Sequence, residues 1–262
     1  MHRERIETWA QALDRAYLEG RPIPPLSEEG LVGLEAAYAV QRHWRERMAA
    51  RGERRVGRKI GLTARAVQQQ FGVDQPDFGS IWASRQFVAA GGRAELPYGL
   101  FLQPRVEGEL AFLLGQPLWG PHLTPQEVLA ATEAVAYAFE IVDSRIADWR
   151  IRIEDTVADN ASFGALVLGP WQKELLAEPL HTLGMALYKD GALVAQGAGA
   201  ACLEHPARAV AWLANKLAGF GEGLEAGEVV LSGSWIPVQP AAPGALFVLE
   251  AAGAPPLSLR FT

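Results

Sequence analysis

Pro104-Arg105-Val106-Glu107-Gly108-Glu109-Leu110-Ala111-Phe112 sets two carboxylates two residues apart at the head of an apolar run. The run reads as a strand, and on a strand residues i and i+2 project to the same face. Glu107 and Glu109 then stand side by side on a largely apolar element, where like charges repel and loss of water aggravates the repulsion. Something cationic has to offset this, and a divalent metal with oxygen ligands is the natural candidate. Further along, Phe139-Glu140-Ile141-Val142-Asp143-Ser144-Arg145 offers two more carboxylates. Glu140 stands in a run of Ala, Tyr, Phe, Ile and Val, where a glutamate is expensive to bury unless it is paired or ligating. Glu140 and Asp143 are the expected second arm of the cluster. E-x-E is a common tripeptide, however. Spacing alone equally allows partly exposed carboxylates paired with Arg105 and Arg145.

The bulk numbers bound the answer around this cluster. The 262 residues suffice for one large domain, or for a domain with a helical extension. A net charge of -6 argues against a nucleic-acid partner. The single cysteine, Cys202, excludes an intrachain disulfide and fits a reducing compartment. No apolar run approaches the roughly 20 residues of a membrane span. The charged start MHRERIETWAQALDRAYLEG is not a secretory signal. A cytoplasmic protein without membrane or nucleic-acid partners is expected.

Helical spacing of Ile6, Trp9, Ala10, Leu13 and Tyr17 predicts a helix over 3–19, stopped at Gly20. A second helix is expected over about 33–50, after a proline-rich link. Val56–Leu62 reads as a short strand, with Thr63 as N-cap of a helix over Ala64–Gln70. Residues 71–80 carry loop chemistry, and a strand is expected near 81–90. Thr124-Pro125-Gln126-Glu127 is a capping-box pattern, opening a helix to about 134. Val135–Val142 is ambiguous between helix and buried strand. A helix is expected over 206–219. Strands are expected at Glu228–Leu231, Leu246–Leu249 and Leu257–Phe261, with a turn at Pro243-Gly244. Helices early and strands later favour an α+β fold over regular βαβ alternation.

Other candidate groups are weaker. Lys59, in a glycine-flanked apolar run, is either an edge-strand residue facing water or an active-site cation. Asp77, between Pro76 and Phe78, reads first as a turn former. Asp159, Asn160 and Ser162 cap backbone or line a site. Gly197-Ala198-Gly199-Ala200 reads as a turn or tight packing. The histidines, His2, His43, His122, His181 and His205, show no zinc spacing. No G-x-S-x-G elbow, dinucleotide fingerprint or P-loop is present.

Taken together, VGRKIGLTARAVQQQFGVDQPDFGS (56–80), QPRVEGELAF (103–112), FEIVDSRIADW (139–149) and DTVADNASFG (155–164) resemble the fumarylacetoacetate hydrolase superfamily. Within it they resemble the 2-keto-4-pentenoate (2-hydroxypenta-2,4-dienoate) hydratase / 4-oxalocrotonate decarboxylase family. AVAWLANKLA (209–218) and LSGSW (231–235) also fit, so the likeness runs over nearly the whole chain. The resemblance implies an α+β fold with a mixed β-roll core and flanking helices. A helical N-terminal segment, 1–55, would precede a catalytic core, 56–262, that is one structural unit. It implies that Glu107, Glu109 and Glu140 hold Mg²⁺ or Mn²⁺, and that Lys59, Asp77 and Ser162 surround the substrate.

The implied activity is hydration of 2-hydroxypenta-2,4-dienoate to 4-hydroxy-2-oxopentanoate in aromatic meta-cleavage catabolism. Lys59 would stabilise the enolate or carboxylate, Asp77 would move protons or activate water, and Ser162 would orient substrate or water. Sister activities share the metal chemistry: 4-oxalocrotonate (2-oxo-3-hexenedioate) decarboxylase and 2-oxo-hept-3-ene-1,7-dioate hydratase. Asp77 favours a hydratase. A diacid would need another cation, for which Arg85, Arg145, Arg150 and Arg152 are on hand. The C–C hydrolase branch uses a His–Glu pair that this sequence does not set near Lys59 or Asp77. A structural partner with a relict site is the non-enzymatic alternative. The resemblance also implies a homo-oligomer, and association with a sister decarboxylase or a downstream aldolase.

Overall fold

Apolar runs too long for a half-buried surface have to be covered on both faces, and the chain does this with two stacked mixed sheets and a shell of helices. The computed structural model describes residues 3–262. Helices α1 (Arg3–Glu19) and α2 (Leu34–Ala50) lead into strand β1 (Arg55–Gly61), helix α3 (Arg65–Phe71) and strands β2 (Asp77–Trp82), β3 (Gln86–Val88), β4 (Arg93–Leu96) and β5 (Arg105–Leu114). Helix α4 (Pro125–Ala131), strand β6 (Thr132–Val142), helix α5 (Ile153–Ala158) and strands β7 (Phe163–Leu168), β8 (Gly184–Lys189) and β9 (Ala192–Ala198) follow. Helix α6 (Pro206–Ala218) and strands β10 (Val229–Leu231), β11 (Gln239–Pro240), β12 (Leu246–Ala251) and β13 (Leu257–Phe261) complete the chain.

The larger sheet runs β2-β1-β10-β5-β6-β7-β3, with β11 also pairing β5. The smaller runs β4-β13-β12-β8-β9. The α+β expectation and its mixed-sheet core hold, and the sheets do not close into a barrel. Gly108 fixes how near the sheets approach. A Cβ there would meet Met185 Sδ at 2.8 Å and Leu249 Cδ1 at 3.0 Å, both from the smaller sheet. Gly108 lies between Glu107 and Glu109 and points the other way, so one face of β5 packs while the other carries carboxylates.

Helices α1, α2 and α6 fall where apolar spacing predicts, whereas α5 was not expected. Leu13 of α1 and Trp44 and Met48 of α2 are buried together, and burying a leucine such as Leu13 contributes about 1.5–3 kcal/mol. Asp14 ties the pair, accepting from Trp44 Nε1 at 3.1 Å and Arg51 at 2.6 Å. Gln41, buried on α2, donates through Nε2 to Phe78 O on β2 and Val157 O on α5, both at 2.8 Å. The capping box forms, with Thr124 and Glu127 exchanging bonds.

Several local expectations are corrected. Thr63 does not cap α3; Ala64 stands at that position, and the Thr63 hydroxyl is buried against Cys202 Sγ at 3.6 Å. Residues 77–80 are strand rather than loop, because β2 pairs antiparallel with β1 from Gly61↔Asp77 onward. The strand expected near 81–90 is broken by a 3₁₀ turn over Ala83–Arg85. Helix α4 stops at Ala131 instead of 134. Thr132 folds its hydroxyl back onto Val128 O, and β6 begins, pairing with β5 along its length. The β8–β9 hairpin was not anticipated, although Asp190 (φ 51°) and Gly191 (φ 84°) are a turn pair that favours hairpins. Gly197 and Gly199 are tight packing: a Cβ at Gly197 would sit 1.9 Å from Trp235 O.

Candidate active site

Register brings the carboxylates together. Glu107 of β5 lies directly opposite Glu140 of β6, and Glu109 follows on the same face. Carboxylate oxygens of Glu107, Glu109 and Glu140 lie within 4.8 Å of one another. Burial and mutual repulsion push Glu107 up to about 7 and Glu109 well above the usual carboxylate range. Glu109 Oε2 accepts from Gly233 N at 2.8 Å. Glu109 Oε1 is buried without a hydrogen-bond partner. Neither oxygen of Glu140 has one either, although the Lys59 ammonium stands 3.1 Å from Oε1. Three hard oxygen donors aimed at one point, with orphaned buried lone pairs, fit a divalent cation.

Lys59 is buried on β1 and reaches across β10 to this group. Its Nζ also donates to Ala161 O at 2.9 Å. Burial works to lower its pKa, but Glu140, Asp77, Glu107 and Glu109 more than reverse this, so it stays an ammonium. Asp77 enters from the first residue of β2, with Oδ1 buried and unpartnered. Burial raises its pKa to about 6 against the pull of Lys59. Gly61 makes room for it: a Cβ there would stand 2.2 Å from Asp77 Oδ1.

Ser162 closes a strained turn. Asn160, Ala161 and Ser162 all adopt left-handed backbone, with φ of 55°, 50° and 53°. Non-glycine residues avoid this region, and such strain persists only where the surroundings over-determine it. Here Asn160 clamps the turn to β2, accepting from Ser80 N at 2.7 Å and donating to Ser80 O at 2.9 Å. The turn thereby aims Ala161 O at Lys59 and sets Ser162 Oγ 3.1 Å from Thr156 Oγ1.

A cavity of about 900 Å³ is lined by Lys59, Asp77, Glu107 and Ser162 and walled by apolar Val142, Trp235 and Ile236; of the three glutamates, Glu107 is the one that lines it. Asp143 does not join the cluster. The ladder shifts register between Ile141 and Val142, and the Asp143 carboxylate instead accepts from the backbone of Leu102 and Gln103. Asp159 is spent on Arg145, which is buried in an ion pair with it. The pairing of the glutamates with Arg105 and Arg145 is therefore absent among the described residues. Of the arginines considered for a second carboxylate, Arg85 bonds Tyr17 and Leu100, Arg150 faces Glu28, and only Arg152 lines the cavity. Arg105 lines it as well. Its position two residues before Glu107 on a strand was the signal for it. His181 and His205 lie tilted against each other, 5.3 Å between centroids, and neither is among the residues lining this cavity. His2 lies outside the described residues.

Residues 55–262 match the family model described as Fumarylacetoacetate (FAA) hydrolase C-terminal, and the chain belongs to that family. It is 45% identical to a 2-hydroxyhexa-2,4-dienoate hydratase of Comamonas testosteroni, over 98% of this chain and 97% of the relative. It is 44% identical to a 2-keto-4-pentenoate hydratase of Paraburkholderia xenovorans (strain LB400), over 93% and 90%. Among solved structures, a 4-oxalocrotonate decarboxylase from Pseudomonas putida G7, complexed with magnesium and adipate, superposes with a TM-score of 0.94 at 32% identity, covering 100% of this chain and 99% of that one.

Proposed function

We propose that the chain is a divalent-metal-dependent hydro-lyase that adds water to 2-hydroxypenta-2,4-dienoate (2-keto-4-pentenoate), giving 4-hydroxy-2-oxopentanoate in aromatic meta-cleavage catabolism. The observation that carries this reading is the Glu107–Glu109–Glu140 cluster, with its orphaned oxygens, which meets through Glu107 a cavity also lined by Asp77 and Lys59. The hydratase relatives support the same reaction class.

Glu107, Glu109 and Glu140 would hold Mg²⁺ or Mn²⁺. When bound, such a cation favours negative charge on the C2 oxygen and carboxylate of a 2-oxo acid. Asp77, whose pKa burial raises to about 6, exchanges protons at its carboxylate: its protonated form delivers one to C5 of the dienol as the C2 hydroxyl proton leaves to solvent. The resulting 2-oxo-3-enoate takes water at C4. Asp77, now ionised, accepts a proton from that water, and C3 takes one from solvent in place of the C2 hydroxyl proton lost earlier, so the balance is one water added. Lys59, held between Glu140 and Ala161 O, offers a fixed positive charge to the substrate's oxygens. Ser162 Oγ, steadied by Thr156, orients the water. The apolar wall of Val142, Trp235 and Ile236 limits stray solvent.

A second reading, 4-oxalocrotonate (2-oxo-3-hexenedioate) decarboxylase, is supported by the likeness to the decarboxylase structure; Asp77 inside the cavity favours hydration. A dienol assay separates them. Metal-dependent loss of the dienol absorbance with 4-hydroxy-2-oxopentanoate as product is expected. Release of CO₂ from 2-oxo-3-hexenedioate without dienoate turnover would move the chain to the sister activity.

We also infer a cytoplasmic homo-oligomer, in which residues 1–55 form a helical segment attached to a single catalytic unit, 56–262. It would associate with a sister decarboxylase or a downstream aldolase. Val88, Trp119 and Leu193 are among the exposed apolar side chains available for contacts between copies. No helix among the described residues is long and apolar enough to cross a membrane.

A further inference from the structure

Among the described residues, Arg105 is a cation without an anion. It stands on β5 two residues before Glu107 and four before Glu109, so all three side chains leave the same face of the strand. It lines the same cavity as Glu107, Lys59 and Asp77. Its guanidinium lies over the Trp149 ring, 4.2 Å from the centroid, and the Trp149 indole N–H is itself anchored on Gln103 O at 2.9 Å. The stack holds the guanidinium in place. Among the described residues, however, Arg105 has no ion pair and no hydrogen bond from its side chain. The buried arginines elsewhere are each matched: Arg58 by Glu222, and Arg145 by Asp159. A half-buried guanidinium that is oriented but unpaired, in the wall of a cavity, is built to receive a planar anion from outside the chain.

We propose that Arg105 receives the C1 carboxylate of the 2-oxo-acid substrate, and so fixes which way the substrate lies. This inference rests on the reading of the site as one for 2-oxo acids. Arg105 pairs across β5 with Pro240 of β11 and Val142 of β6, one pleat period, roughly 7 Å, beyond the Glu107–Glu140 pair. That is within an arginine's reach of a carboxylate lying beside the glutamate cluster. Asp77 and Lys59 enter from β2 and β1, on the far side of β10. A substrate with its carboxylate on Arg105 and its C2 oxygen at the cluster therefore turns C4 and C5 toward Asp77. In the reverse orientation the reacting carbons would face the Trp149 platform, away from Asp77 and Lys59.

The test is calorimetric titration of the Mg²⁺-loaded protein with pyruvate and with pyruvamide, its neutral isostere. The wild-type chain should prefer pyruvate. Arg105→Met should weaken pyruvate roughly 10- to 150-fold, the loss of one charge-assisted bidentate contact. Pyruvamide and Mg²⁺ affinities should stay unchanged. Arg105→Gln, which keeps a polar stem, should read the same loss if the methionine variant fails to load Mg²⁺. Pyruvate affinity within twofold of wild type, or a parallel loss for pyruvamide, would overturn the proposal. So would a variant that binds pyruvate normally but loses adipate, because Arg105 would then serve a distal carboxylate. Wild-type protein that binds pyruvate through Arg105 yet leaves the dienoate untouched would sink the hydratase reading and leave this one standing.

Discussion

Replacing Asp77 by Asn separates what the residue does for the reaction from what it does to the fold. Asp77 is 2% exposed, and burial lifts its pKa from 3.8 to about 6, with Lys59 pulling the other way. Because the folded value lies above the unfolded one, the ionised carboxylate destabilises the native state. The effect is absent below 3.8, grows between 3.8 and about 6, and is complete above that. At about 1.36 kcal/mol per pH unit, that interval sets a ceiling of about 3 kcal/mol. Metal-free Asp77→Asn should therefore resist urea better than wild type at pH 7.5. The corresponding rise in Tm is about 6–12 °C for a chain of this size. The advantage should shrink markedly at pH 5. Turnover of the Mg²⁺-loaded variant should fall by roughly 10²–10⁴, while Mg²⁺ affinity holds. A variant no more stable than wild type at pH 7.5, or with a gap indifferent to pH, would refute the burial argument. Turnover within tenfold of wild type would remove Asp77 as the proton carrier.

Scanning calorimetry tests the ligand set: Mg²⁺ at a hundred times its Kd should add about 2.7 kcal/mol, and Glu109→Gln and Glu140→Gln should each lose most of that gain. A full gain in either variant excludes that residue as a ligand. Loading should release protons, since burial and mutual repulsion raise Glu107 to about 7 and hold Glu109 well above the usual carboxylate range in the metal-free chain. Apparent Mg²⁺ affinity should accordingly tighten from pH 6 to pH 8; equal values at both would contradict the assigned cluster. Gly79→Ala would set a Cβ 2.3 Å from Asn160 O. It should cost about 1–3 kcal/mol and depress turnover by shifting the strained turn, whereas Gly184→Ala, with its nearest neighbour at 3.7 Å, should do neither.

What the sequence reveals of this fold depends on how local the determinant is. Helices α1, α2 and α6 were legible because a 3.6-residue apolar stripe and end signals suffice to specify them. Strand β2 was not. Gln75-Pro76-Asp77 has turn chemistry, and only pairing with β1 makes Asp77 the start of a strand. The β8–β9 hairpin carried a turn signal at Asp190-Gly191, but Gly184–Lys189 and Ala192–Ala198 lack a clean alternation to frame it. At the site, E-x-E spacing gives Glu107 and Glu109 a common face, and Glu140 is conspicuous in apolar surroundings. That Glu140 faces Glu107 is a matter of register across two strands, which no local pattern encodes. Asp143 misled for the same reason: a register shift carries it off the face. Lys59 and Asp77 became credible through resemblance, since by themselves they read as an edge residue and a turn former.

Gln41 makes the N-terminal helices more than a covering. One side-chain amide on α2 bonds the backbone of β2 next to Asp77 and that of α5 just before the strained turn. Recombination that grafted a foreign leading segment onto residue 55 would take this shared donor from both carbonyls, and would free the two walls of the cavity to drift independently. The lineage of this chain should therefore inherit its first fifty residues together with its catalytic half, not trade them as an interchangeable cassette.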